Sequence, residues 1–371
     1  MRVELDRSGN PEQLRKMLQE MEADPKVRGI LIFSCDENNI SSDQIDPALQ
    51  ACQKPLFGGL FPQIIYQEEH LSRGTLVIGV FAACEVCAIP GLSERESPLS
   101  SEHIEHFARV NSSRRQTMAV FVDGFATRIC SLLDMLFEEF GFQFNYVGGG
   151  AGSLSFQQKP CVFTNQGLLQ DAAVLAVINV PSAVGVAHGW TPISDPYKVT
   201  ESSGNVIHSL DWRPAFELYR EIEERHSGQV FNAENFFDIA KAYPFGLAKF
   251  GSEMVVRDPL SRQEDSLVCV GEVAEGAYGH VLHGNNESLL CAAEEAKRRA
   301  RESFGNKDAS AQLLMDCISR VLFLGDEFSA ELKNVHSPEA MMFGALSLGE
   351  IANCGDAYLE FYNKTAVVSL M

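Results

Sequence analysis

Phe144-Asn145-Tyr146-Val147-Gly148-Gly149-Gly150-Ala151-Gly152 is the stretch on which the reading of this chain turns. An aromatic and β-branched lead-in reads as a strand. Four glycines in five positions follow it. A glycine cluster after a strand suggests a phosphate cradle, which works by delivering the ligand to the N-terminus of a helix. No helix pattern follows here. Ser153-Leu154-Ser155-Phe156 runs within a few residues into Pro160 and another strand-like run, and no Gly-Lys-Ser/Thr ending completes a nucleotide loop. Gly148, Gly149, Gly150 and Gly152 are therefore read as a structural motif that permits positive φ and close backbone packing.

Working outward, Cys161-Val162-Phe163 and Ala172–Asn179 are apolar strand-like runs, separated by a turn signal at Asn165-Gln166-Gly167. Towards the N-terminus, strands and helices alternate. Asn10-Pro11 opens a helix with Leu14, Met17, Leu18 and Met21 on one face. Gly29–Ser34 is a buried strand, Ser42–Gln53 a helix, and Leu56–Pro62 a glycine-bent loop carrying exposed aromatics. Thr75–Ala83 is a strand, Ser100–Val110 a helix and Thr117–Val122 a strand. Thr127–Phe140 is a helix with Ile129, Leu132, Leu133, Leu136 and Phe140 inward. Towards the C-terminus, Val206–Leu210 is a strand, and Asp211 caps a helix over Arg213–His226. Asn286–Phe304 is a strong helix closed by Gly305. Gln312–Arg320, Phe343–Ile351 and Ala357–Phe361 read as strands. The pattern is mixed α/β with mixed sheets flanked by helices. No repeat of 20–50 residues is evident. Two domains are expected, 1–200 and 201–371, joined near Trp190–Asp211.

The chain has 371 residues, with fifty acidic against thirty basic side chains and a formal net charge of −20. That balance argues against non-specific nucleic-acid binding and against docking on anionic membrane. Met1-Arg2-Val3-Glu4-Leu5 has no signal-type apolar core, and Ala172–Ala187 is interrupted by Asn179, Pro181 and Ser182, which suits no membrane span. Ten scattered cysteines without a leader read as reduced thiols. A cytoplasmic protein is expected.

Several stretches read together resemble a known family. Gly148–Gly152, then Val162-Phe163-Thr164-Asn165, is similar to the end of the N-terminal half of FIST-domain proteins (F-box and intracellular signal transduction). His188-Gly189-Trp190, Gly204-Asn205-Val206-Ile207 and Pro214-Ala215 resemble the segment joining the family's two halves. Asp316-Cys317-Ile318-Ser319-Arg320, Gly349-Glu350-Ile351 and Tyr362-Asn363-Lys364-Thr365 resemble its C-terminal motifs. The resemblance is to the stand-alone bacterial type. It implies a sensory pair of domains without catalytic activity that binds a small ligand and signals to a separate partner such as a histidine kinase. Some stand-alone members are haem-binding nitric-oxide sensors, so haem is a cofactor the resemblance brings in. Phe57-Gly58-Gly59-Leu60-Phe61-Pro62 departs from the Ser/Thr-Gly loop expected of the family.

Within this frame, Arg320, Glu350, Asn363 and Cys317 are the candidate ligand-binding residues. An Arg fork suits a carboxylate and a Glu an ammonium group, so an amino-acid-like ligand is expected. The competing reading pairs Arg320 with Glu350 across adjacent strands. His188, beside an apolar strand, is the candidate haem ligand. Cys84 and Cys87 form a lone C-x-x-C without two further zinc ligands, so no metal site is expected. A thiol- or carboxylate-dependent enzyme is the second alternative.

Overall fold

The computed structural model of the chain describes residues 1–94, 104, 105, 107, 115–232, 235–249, 253–305, 307–355 and 357–371. The architecture is mixed α/β, as the alternation predicts, with helices flanking four sheets. Three of these sheets have six strands each and follow one plan.

The plan is clearest in the first unit. An edge strand, Arg2–Asp6, leads through the helix Pro11–Ala23 to the strand Gly29–Cys35. The helix Ser42–Ala51 then crosses to the parallel strand Leu56–Phe61. A hairpin, Gln63–Tyr66 and Glu69–Leu71, precedes the closing strand Thr75–Val80. The second unit repeats this with Cys84–Pro90, Gln116–Asp123, the helix Ile129–Phe140, Phe144–Ala151, the hairpin Val162–Thr164/Gly167–Leu169, and Ala172–Ile178. The third uses Ala183–Ala187, the helix Asn286–Phe304, Ala311–Cys317, the helices Ile318–Leu324 and Phe328–Val335, Met341–Ser347, the hairpin Glu350–Ala352/Glu360–Tyr362, and Ala366–Leu370. In each sheet the order is edge, closing strand, first parallel strand, second parallel strand, hairpin.

The hairpin at the end of each sheet belongs to a different unit. Unit one's hairpin joins unit three's sheet, with Ile65 opposite Gly344. Unit two's joins unit one's, with Phe163 opposite Gly58. Unit three's joins unit two's, with Ile351 opposite Gly148. The exchange is cyclic, and the three sheets enclose a shared core. Phe33, Phe61 and Phe121 meet there, with ring centroids 5.4 Å (Phe33–Phe61), 5.3 Å (Phe33–Phe121) and 6.2 Å (Phe61–Phe121) apart, and Met315 from unit three belongs to the same buried cluster. The fourth sheet, Tyr197–Cys269 with the strand Tyr278–His283, is inserted in unit three between its edge strand and its long helix.

The glycines of the stretch meet different neighbours at each position. A Cβ on Gly148 would stand 1.8 Å from the carbonyl oxygen of Val120 on the parallel neighbour. Gly58 and Gly344 occupy the same place in their units, 1.9 Å from Ile32 O and 1.8 Å from Leu314 O. Gly152 alone of the four takes positive φ, at 145°.

Several sequence expectations change. Leu56–Phe61 is a fully buried strand rather than an exposed loop, because Phe57 and Phe61 fill the shared core. The helix after residue 211 starts at Ala215 with Pro214 as its cap. Asp211 sits at φ 47° in a turn where its carboxylate accepts from Lys198 N. Gln312–Arg320 divides into a strand ending at Cys317 and a helix that carries Arg320. Phe343–Ile351 divides into two strands in different sheets. Most of the helix expected over 100–110 lies outside the described residues. The expected division at 200/201 falls inside the strand Tyr197–Ser203, and two of the six-stranded sheets contain strands from both sides of it.

Candidate functional site

A cleft of about 700 Å³ opens at the carboxyl ends of the parallel pairs of units two and three. That end of a parallel sheet is where open α/β folds bind ligands, since loops and helix starts meet there. The loop Gly124–Arg128 leaves one strand of unit two, and Leu154 and Phe156 follow the other. Cys317, Ile318 and Ser319 leave unit three's first parallel strand, and Leu348 and Gly349 its second. The inserted sheet closes the far wall with Asp258, Leu260 and Gly271. The glycine stretch knits the floor. Gly150 N donates to Gly349 O (2.8 Å) and Leu348 N to Gly150 O (2.9 Å), an approach that a Cβ on Gly150, 2.9 Å from Leu348 O, would obstruct.

The cleft is graded from apolar mouth to polar floor. Phe156 and Leu322 are 61% and 48% exposed, and the Phe125 and Phe156 rings lie 6.3 Å apart. Asn363, 1% exposed, sits at the bottom with Asp258 and Cys317. Among the described residues neither side-chain atom of Asn363 has a hydrogen-bond partner, and the same holds for Asp258 Oδ1. Asp258 Oδ2 accepts from Ser319 Oγ (3.1 Å) and lies 3.1 Å from Lys364 Nζ. Burial pushes the Asp258 carboxyl up, and Lys364 opposes this. Two backbone outliers flank the site: Lys364 at φ 53° beside the floor and Phe156 at φ 55° at the mouth. Bulky residues rarely hold that conformation, and such strain gathers at binding sites.

The sequence candidates fall in one neighbourhood but not in one role. Asn363 and Cys317 line the cleft. Glu350 lies behind the floor: Ser347 Oγ donates to its Oε1 (2.8 Å) and Thr365 N to its Oε2 (3.3 Å), and burial pushes it up to about 8. Burial likewise holds the Cys317 thiol well above its ordinary value, with the nearby Glu350 carboxyl adding to the rise.

Arg320 does not line the cleft and does not pair with Glu350. Its Nε and Nη2 grip Glu331 at 2.9 and 2.6 Å, and Asp316 Oδ1 lies 3.2 Å from Nε. It also donates to His188 O (2.8 Å) and Leu289 O (2.9 Å). The reason is chain geometry: helix Ile318–Leu324 turns residue 320 away from the strand ladder and towards helix Phe328–Val335. Burial and the neighbouring Glu331 push the Asp316 carboxyl far up, and Arg320 opposes this.

His188 is 2% exposed and does not line the cleft. Its Nδ1 accepts from Trp190 N (2.9 Å), and its Nε2 faces Glu253 Oε1 at 3.2 Å. Burial pushes it down to about 4. Among the described residues both ring nitrogens face protein groups, so His188 as placed presents no nitrogen to a haem iron. Cys84 and Cys87 lie three apart on one strand, and among the described residues no three His, Cys, Asp or Glu side chains are placed to hold a metal.

Sequence reasoning missed Asp258, Ser319, Lys364, Phe125, Phe156 and Leu322. Lys364 carried a signal in the Asn-Lys-Thr turn and Ser319 in the Asp316–Arg320 motif. The others come from segments far apart in sequence and carried none.

The chain is a mixed α/β protein of three like units with a cleft whose buried polar floor lies at the carboxyl ends of its strands. Two family models match it: the FIST N domain over residues 29–213 and the FIST C domain over residues 215–353. The chain belongs to the FIST family, whose domains are associated with signal transduction and small-ligand sensing. No curated protein matches the chain. Among the described residues no helix is long and apolar enough to cross a membrane.

Proposed function

We propose that this chain is a sensor that binds a small ligand in the cleft between units two and three and passes the signal to a separate partner such as a histidine kinase. The observation that carries the reading is the floor: Asn363 and Asp258, buried with polar atoms unmatched among the described residues, at the carboxyl ends of two parallel strand pairs. Buried polar atoms are ordinarily paired, and those that are not call for a partner. Asn363 and Cys317 keep the ligand-binding role. Glu350 supports the floor from behind, and Arg320 anchors the scaffold. Catalysis is not part of the proposal, since Cys317 is held as a thiol and among the described residues no histidine lines the cleft with it.

A thermal-shift screen of a small-molecule library tests the reading, because a ligand selective for the folded state raises Tm. Leu322→Arg, at the exposed mouth, should leave the ligand-free Tm within about 1 °C while erasing the shift. That tolerance follows from the usual near-neutrality of surface substitutions. If no compound shifts Tm, or if shifts survive Leu322→Arg and Phe156→Arg alike, the cleft is not the sensing site.

A further inference from the structure

We infer that the cleft selects a neutral, planar ligand carrying an amide-like edge, a lactam or primary carboxamide, rather than a zwitterion. This rests on the proposed ligand-sensing role of the same cleft. A zwitterion's carboxylate is held best by a cation, and among the described residues the nearby cations are spent. Arg320 is closed by Glu331 and backbone carbonyls. Arg257 donates to the carbonyls of Glu272, Val256 and Phe361 at 2.8, 3.1 and 2.9 Å. Lys364 is held by Asp258 and donates to Lys241 O (2.8 Å). Among the described residues Arg128 is the one basic side chain lining the cleft, and it already donates to Glu94 O (2.7 Å), while Asp258 and Glu272 line the cleft with acid.

The floor asks for something else. A primary amide offers donors on nitrogen and an acceptor on oxygen, side by side in one plane. Asn363 presents both without protein partners. An N–H beside a C=O on the ligand answers the two at once with parallel hydrogen bonds. Asp258 Oδ1 accepts from a further N–H or O–H. Above this floor Phe125, Phe156, Leu322 and Leu260 supply apolar walls suited to a flat ring.

The test uses paired probes on the full chain, with binding followed by calorimetry and saturation-transfer NMR. One pair is 2-pyridone and N-methyl-2-pyridone; the other is benzamide and N,N-dimethylbenzamide. The unmethylated member of at least one pair should bind at least about tenfold tighter, the cost of leaving a buried amide unmatched. That binding should vanish in Leu322→Arg and weaken by a similar factor in Asn363→Asp. The ligand-side comparison stands alone should Asn363→Asp not fold. Equal binding within both pairs overturns the inference. So does binding of amino acids, or of toluene alone, at a site blocked by Leu322→Arg, although the cleft would then remain a ligand site. If the paired probes all fail while a library compound binds in the cleft, the amide reading falls and the sensor reading stands. Failure of probes and library together overturns both.

Discussion

Arg320 and Glu350 both looked like ligand contacts in the sequence, and the structure gives each a different task. Arg320 is wholly buried against Glu331 and Asp316, so its removal strands acidic groups without a counter-charge. Arg320→Ala should lower unfolding free energy by about 3–5 kcal/mol, read by denaturant titration. A loss under about 1 kcal/mol would mean the cluster is hydrated. Glu350 makes a pH prediction. Its unfolded carboxyl titrates near 4.3, and its folded one is pushed up to about 8. The folded state therefore holds the extra proton between those values, and the contribution, complete below about 4.3, is lost as pH rises towards 8. His188 works in the opposite sense, its contribution present above about 6.5 and lost as pH falls to about 4. The window from 6.5 to 8 is thus free of His188. Across it Tm of the native chain should fall with pH, and Glu350→Gln should make that fall shallower. Parallel Tm–pH curves for the two proteins would contradict the assignment.

At the scale of elements, amphipathic helices were legible because period and caps agree. Pro11–Ala23 has the predicted cap and face, with Asn10 Oδ1 accepting from Glu12 N, and Asn286–Phe304 has the predicted closing glycine. Buried strands were legible as apolar runs, but their ends were not. Residues 312–320 and 343–351 read as single strands because apolar composition continues across Cys317 and Ser347, where the backbone leaves the ladder. The repeat was hidden for a related reason. Its signature is short: an apolar run ending Phe33-Ser34-Cys35, Phe121-Val122-Asp123 or Met315-Asp316-Cys317, then a strand with one obligatory glycine. The site was legible only where it lies in the contiguous C-terminal motifs around Cys317 and Asn363. Gly148→Ala and Gly344→Ala should each cost about 1–3 kcal/mol or more, since a methyl cannot enter the space held by a carbonyl. Gly149→Ala should be tolerated better, its nearest atom being 2.8 Å away. Equal stability for all three would remove the argument from close approach.

At the scale of the molecule, the cyclic exchange of hairpins binds the units together. Residues 1–200 expressed alone lack the hairpin Glu350–Ala352/Glu360–Tyr362 beside strand Phe144–Ala151, and their own hairpin Gln63–Tyr66/Glu69–Leu71 lacks its sheet. Each fragment should be unfolded or aggregated when produced separately, by circular dichroism and gel filtration. Co-production of 1–200 with 201–371 should recover a folded complex. A monomeric, cooperatively melting 1–200 fragment would show that the exchanged hairpins are dispensable.

The exchange also sets a timetable for the nascent chain. When Leu56–Phe61 has left the ribosome, its outer edge has no neighbour until Val162–Thr164 is made about a hundred residues later, roughly 5–20 s at ordinary elongation rates. The hairpin Gln63–Tyr66/Glu69–Leu71 waits longer, for Met341–Ser347 near the end of synthesis. Each interval leaves an apolar strand edge open to other chains. Newly made copies of this protein should therefore depend on chaperone cover during translation, and slowing elongation between residues 71 and 341 should reduce soluble yield while leaving the finished protein's Tm unchanged.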